Sequence, residues 1–202
     1  MQIIDFYSHL NGLEFLNAKK PHLLEEIKKS LTLIEIKDIQ KKTSKEKTKS
    51  KKLLYSPTLI KKKFENFLFS NGWRSYKKDF LISSDVQFMK SAYKEHVKIQ
   101  NEMAKKRKII TYKSSNMINL LKDRVSINLQ LGKYSFFHFD IFNHISNYQD
   151  DIIDCGIIIL PTKSMTNLMS TGVPIYERHI HEILRCRGAY PNVPLVLMGI
   201  DK

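Results

Sequence analysis

From Arg124 to Leu131 the chain alternates without a break: Val125, Ile127, Leu129 and Leu131 are apolar, while Arg124, Ser126, Asn128 and Gln130 are polar. A period of two predicts a half-buried strand with one face in a core and the other lining something polar. Gly132 ends the run, and an aromatic, helix-like segment follows over about 134–148. Upstream, residues 2–6 read as a short strand and 8–17 as a short helix with Ser8 as a candidate N-cap. After Pro21, Leu23, Leu24, Ile27, Leu31 and Ile34 recur at helical spacing. Ser56-Pro57 opens a third helix, Ser as cap and Pro at its first position, with Leu59, Ile60, Phe64, Phe67 and Leu68 inward. Asn71-Gly72 stops it, ahead of a packed Trp73.

Residues 74–82 suggest a strand or hairpin arm, 86–106 one long basic helix, and 108–112 a strand leading into a turn at Ser114-Ser115-Asn116. The run IIDCGIIIL at 152–160 suits a strand buried on both faces, stopped by Pro161. Ser170-Thr171-Gly172 form a turn, 174–187 a helix, and 193–200 a last buried strand. Strands alternating with helices in the second half predict an α/β sheet flanked by helices.

Composition alters this picture in one respect. An apolar content of 42% with 27% charged residues is ordinary for a soluble globular protein, and 202 residues suffice for a single domain over 1–202. The net charge of +14 is not ordinary. It favours a polyanionic partner, nucleic acid first and an anionic membrane surface second; a general habit of lysine-rich surfaces is the competing explanation. The excess concentrates in 37–52 (KDIQKKTSKEKTKSKK), which has almost nothing to bury and is expected as a basic mobile loop able to track a phosphate backbone. Cys155 and Cys186 lie far apart, with no CxxC and no Cys/His zinc spacing, so no structural zinc site is expected from the cysteines. The start lacks a signal-peptide pattern and no apolar run has the length of a membrane span, so the cytoplasm is the expected location and no membrane partner is expected.

Several stretches together carry a family resemblance: YSHLNGLEFL (7–16), SKEKTK (44–49), LYSP (54–57), KDRV (122–125), Gln130, GKYSF (132–136), ILP (159–161), the 170–172 turn and RGAYPNVPLVLMGI (187–200). They run in order from one end of the chain to the other, with a poor match over about 75–115. The chain resembles the BstYI/BglII-like type II restriction endonucleases of the PD-(D/E)xK nuclease superfamily, the BstYI-like members most closely. The resemblance implies a restriction-endonuclease-like mixed central sheet flanked by helices. It also implies a homodimer on double-stranded DNA, with protein two-fold symmetry matching a palindromic, GATC-containing site, and Mg²⁺-dependent hydrolysis of one phosphodiester per strand.

The resemblance places the first catalytic acid on Asn119 and the second, nine residues on, on Asn128. Gln130 matches the family's Gln, and the Leu129 carbonyl would be a main-chain metal ligand. Both acid positions are therefore amides. An amide oxygen can ligate a hard cation but brings no charge, and a close ion pair is worth roughly 4 kcal/mol at an effective dielectric of about 20, before desolvation. Weak Mg²⁺ binding and little cleavage are expected. Three accounts fit: a natural degenerate relative that binds without cutting, a deliberately inactivated form, or rescue by a displaced acid, for which Asp123, Glu14 and Asp140 are candidates. For Asp123 a salt bridge with Arg124 or Lys122 is the plainer role.

For recognition the resemblance points to Lys133. Ser170 and Thr171 sit in a turn able to reach base edges, and Arg185 and Arg187 suit phosphate or a guanine edge. His179 and His181, two apart on a helix, face different ways and do not pair on a metal.

Overall fold

The computed structural model describes every residue except Lys45, Ser50, Arg187 and Ala189, and the side chains of Lys42 and Thr48. By contacts the chain divides into two compact units, Met1–Arg74 with Asn119–Lys202, and Ser75–Ile118.

The larger unit is built on strands β1 (Gln2–His9), β6 (Val125–Leu129), β7 (Cys155–Pro161) and β8 (Leu195–Asp201), together with the end of β5 (Tyr112–Lys122). The six-stranded sheet has the order β1-β8-β7-β6-β5-β4, where β4 is Arg74–Ile82. β1 pairs antiparallel with β8, β8 with β7 and β7 with β6 run parallel, and β6 returns antiparallel along β5. The sheet is therefore mixed, as expected.

Side-chain alternation on β7 assigns the two faces. Ile157 and Ile159 join Val125, Ile127, Val196 and Met198 under the helices α1 (Gly12–Lys19), α2 (Pro21–Thr32) and α4 (Pro57–Ser70). Ile158 and Leu160 join Leu195 and Leu197 under α7 (Phe136–Gln149) and α9 (Tyr176–Arg185). A strand covered on both faces has no place for polar residues, so β7 reads as a continuous apolar run. Ser56 caps α4 as expected, its Oγ accepting from Leu59 N at 3.4 Å, and Gly72 at φ 91° ends the helix. Trp73 is fully buried and donates to Glu26 at 2.8 Å.

Other expectations shift. Ser8 is not at the N-cap position, which Asn11 holds in the left-handed region; it lies at the end of β1, yet its Oγ accepts from Leu13 N at 3.1 Å and so serves the first turn of α1. The helix expected over 86–106 is two, α5 (Val86–Ala92) and α6 (Val97–Lys106). Gln100 explains the break, because its buried side chain donates to Ala92 O and Glu95 O and accepts from Leu81 N. These bonds satisfy the carbonyls that the break leaves open. They belong to the smaller unit, whose core is Phe88, Ala92 and Ala104 with Met103 and Ile109. The turn expected at Ser114-Ser115-Asn116 lies inside β5.

The basic segment 37–52 holds more structure than composition suggested. It includes most of α3 (Ile36–Ile39), strand β2 (Lys42–Thr43), paired with β3 (Leu53–Leu54), and a 3₁₀ turn at Lys47–Lys49. Short α8 (Lys163–Thr166) completes the elements. Among the described residues, no helix is long and apolar enough to cross a membrane.

Candidate active site

Two geometric features bring the site together. The first is the turn between β5 and β6, where Asp123 and Arg124 both adopt positive φ, 48° and 63°. Consecutive left-handed residues make the tight hairpin that matches strand twist. It sets Leu120 opposite Ile127, so that Asn119 and Asn128 are the next residues along the two strands. The second feature is the packing of α7 on the polar face of β6. Residues 126, 128 and 130 all meet this helix: Ser126 Oγ is 2.9 Å from His144 Nδ1, and Asn128 Nδ2 and Gln130 Nε2 donate to the two carboxylate oxygens of Asp140 at 2.5 Å. Asp140 and His144 are four apart and so share a helix face. The polar stripe of the strand is thus covered by a complementary polar stripe on a helix.

Asn119, Leu129, Asn128 and Gln130 line one cavity of about 110 Å³, with Lys61, Glu65 and Asp140. The residues expected as catalytic and metal-binding therefore converge. Lys61 and Glu65 of α4 were not anticipated; nothing in their local sequence marks them, since they come from a helix some sixty residues upstream. Of the candidate rescuing acids only Asp140 is present. Glu14 is occupied with Ser8, and Asp123 bonds His22 at 3.0 Å. The salt bridges expected for Asp123 also differ: Arg124 binds Asp151 and Asp154, and Lys122 binds Glu26.

Asp140 is 6% exposed. Burial pushes its carboxyl upward, against the opposing pull of the Gln130 and Asn128 donors and the Lys61 charge. Both its oxygens are already engaged. Gln130 is held at both ends, its Oε1 accepting from Gly132 N at 3.0 Å. Glu65 lies 3.6 Å from the Lys61 ammonium. A magnesium-type cation asks for charged oxygen ligands free to turn toward it. Here the near ligands are neutral amides, one acid is committed to those amides and the other to a lysine. The donor set does not fit that ion.

The raised Asp140 carboxyl has a measurable consequence. Above its folded pKa the side chain is charged in both folded and unfolded states, and the buried charge opposes folding. As pH falls through the window between that raised value and the ordinary 3.8, the folded chain takes up the proton first and gains stability. Asp140→Asn has no such titration. The stability difference between Asp140→Asn and the parent, measured by urea denaturation from pH 7 downward, is expected to shift in the parent's favour across that window. A pH-independent difference would contradict the buried charge.

Two of the expected recognition residues, Ser170 and Thr171, line a second groove of about 450 Å³ with Lys49, Lys163 and Arg178. Tyr134 N donates to Gly172 O at 2.7 Å, which ties the Lys133 segment to this turn. The basic segment also reaches it. Glu46 accepts from Thr171 N at 3.0 Å and from its hydroxyl at 2.5 Å, and Lys49 Nζ donates to Met169 O at 2.6 Å. Arg178, missed in the sequence, lies over the Tyr134 ring at 5.4 Å. Lys133 and Arg185 are exposed, and Arg185 does not line this groove. Arg187 lies outside the described residues.

The fold is shared with solved structures. The chain superimposes on BglII bound to a DNA 16-mer with a TM-score of 0.62 at 18% identity, covering 100% of this chain and 79% of that one. It superimposes equally on free BglII, at 17% identity over 80% of that chain. No curated protein sequence matches well enough to count as a relative. The family model for restriction endonuclease BglII/BglIII matches residues 4–200, nearly the whole chain, and the chain therefore belongs to the BglII/BglIII restriction endonuclease family.

Proposed function

We propose that this chain is a sequence-specific duplex-DNA-binding member of its family, acting as a homodimer on a palindromic, GATC-containing site, and that it holds this DNA without efficient hydrolysis. The observation that carries the reading is the state of the cavity: amides stand at both acid positions, and Asp140, the nearby carboxylate, is already engaged by Asn128 and Gln130. The DNA partner is supported by family membership, by the DNA 16-mer held by BglII, and by the net charge of +14. The basic groove beside Ser170 and Thr171 is the surface expected to face base edges, with Lys133 on the adjoining segment and Arg185 and Arg187 suited to phosphate. A second copy is supported by α7, which exposes the Phe139 and Phe142 rings at 59% and 62%.

Gel shifts without divalent metal test this reading. Retardation of GATC palindromes over scrambled duplexes, with no product from a GATC-rich plasmid in Mg²⁺ or Mn²⁺, is expected. Equal binding to all sequences with a steep salt dependence would leave only a generic basic protein. A second reading, Mg²⁺-dependent type II cleavage, is favoured by one fact: the Glu65 and Asp140 carboxylates line the same cavity. Robust double-strand cutting in the plasmid assay would establish it in place of the first.

Within the binding reading, Glu46 orders the recognition turn. Charge-assisted hydrogen bonds of this kind are worth about 1.5 kcal/mol, roughly a factor of ten in an equilibrium constant. Glu46→Ala is expected to raise the Kd for specific DNA about tenfold while leaving binding to scrambled DNA within a factor of two or so. Parallel titrations of both duplexes read this directly; an equal loss on both would remove the turn from recognition.

A further inference from the structure

Away from the cavity, three donors of the transition-metal type meet between α7 and α9. His138, His179 and Glu182 each bring one ligand-capable atom within 4.8 Å of the other two. His179 and Glu182 are three apart on α9, with Nδ1 and Oε2 2.7 Å from each other. His138 reaches across from α7, its Nε2 3.6 Å from the same oxygen. The imidazoles stand edge to face, with centroids 6.1 Å apart.

We propose that His138, His179 and Glu182 form a binding site for a zinc-class dication that ties α7 to α9. Two imidazoles and one carboxylate are a recurrent zinc set, leaving a fourth position for water. Imidazole nitrogens suit Zn²⁺, Co²⁺ or Ni²⁺ and do not suit the hard Mg²⁺ ion. Two further observations distinguish the cluster from a chance ion pair. The remaining Glu182 oxygen, Oε1, accepts from Arg178 Nε at 2.9 Å. A ligand carboxylate is commonly oriented by an outer partner of this sort. His179 is fully buried and stacked on Phe137 at 3.8 Å, so its ring is held in place before any ion arrives.

The Nε2 of His179 has no hydrogen-bond partner among the described residues. Loading exchanges the Nδ1–H···Oε2 bond for metal bonds and moves that proton to Nε2, so no existing bond is lost at Nε2 and no net proton is released. Donors around an ion with bonds of about 2.0–2.1 Å stand roughly 3.3 Å apart. His138, more than half exposed, supplies the needed rotation and the route in from solvent.

The test uses full-length, tag-free protein and no DNA, so it stands or falls independently of the proposed function. Titration with Co²⁺ is expected to give visible absorption saturating at one equivalent, bleached by one equivalent of Zn²⁺ and untouched by millimolar Mg²⁺. His138→Ala, a surface change, should weaken binding at least about tenfold and abolish the Zn²⁺-induced rise in Tm; Glu182→Gln should weaken it comparably. His181→Ala, on the outer side of the same helix, should bind as the parent does. Absence of stoichiometric binding overturns the proposal. Binding that survives His138→Ala, or that His181→Ala also removes, overturns it equally.

Discussion

Asn119→Asp combined with Asn128→Glu is expected to produce Mg²⁺-dependent cleavage of GATC-containing plasmid, on the order of a hundredfold or more above the parent. That scale is what removing a single preorganised charge-stabilising group commonly costs an enzyme. Each substitution adds one negative charge to the cavity that Asn119 and Asn128 line together. Each new close ion pair with a dication contributes roughly 4 kcal/mol at an effective dielectric of about 20, less desolvation. Either substitution alone supplies half the charge and is expected to cut weakly.

The double variant also carries an internal cost. Asn128 now donates to Asp140, and a glutamate there sets two carboxylates side by side, which raises the pKa of one of them. Cleavage by the double variant should therefore fall off on acidification, and adding Asp140→Asn should move that fall to lower pH. Linearisation of supercoiled plasmid across pH reads both effects, with circular dichroism and gel shifts confirming fold and DNA binding. A parent that cuts as fast as the double variant would contradict the amide reading. A folded, DNA-binding double variant that stays inert would remove Asn119 and Asn128 from the chemistry.

The scaffold of this site was legible because it rests on local pattern. Alternation from Arg124 to Leu131 marks β6, and the unbroken apolar run to Leu160 marks β7. What local pattern cannot supply is the partner of the polar face. Period two says that Ser126, Asn128 and Gln130 share a side; it does not say that α7 covers them. Asp140 and His144 are at helical spacing, and matching one polar stripe to the other is the signal that could have paired them. Lys61 and Glu65 carry no such signal, since their role depends on where α4 packs. The same limit explains residues 86–106. Helical periodicity continues through the segment, and the break depends on the side chain of Gln100 folding back to Ala92 and Leu81. A family resemblance singled out Asn119 and Asn128, which pattern alone could not, and both line the same cavity.

Gly156→Ala is expected to destabilise the chain by about 3 kcal/mol and to loosen the site from a distance. Gly156 lies on β7 opposite Ser126 of β6. A Cβ there would sit 2.6 Å from His144 Nδ1 and 2.7 Å from its Cγ, closer than real contacts allow. The imidazole is buried over the glycine and bound to Ser126. Overpacking a filled core costs about 1–3 kcal/mol, and displacing the ring also costs the Ser126 bond, about 1 kcal/mol. Because His144 and Asp140 share a face of α7, lifting one draws the other from Asn128 and Gln130.

His144→Ala removes the obstructing ring, so the double variant should be more stable than the two single effects sum to, with a coupling of at least about 1 kcal/mol. Urea denaturation of the four proteins gives the cycle, and additive effects would place the strain elsewhere. Acid provides an independent check on the same ring. Burial lowers the His144 pKa to about 4 from 6.5, so between those values the unfolded chain takes up a proton that the folded chain does not. The stability that a neutral His144 contributes is present above 6.5 and lost as pH falls toward 4. Proteins lacking His144 should not show that loss, and in them the stability gain from Asp140 protonation should emerge alone.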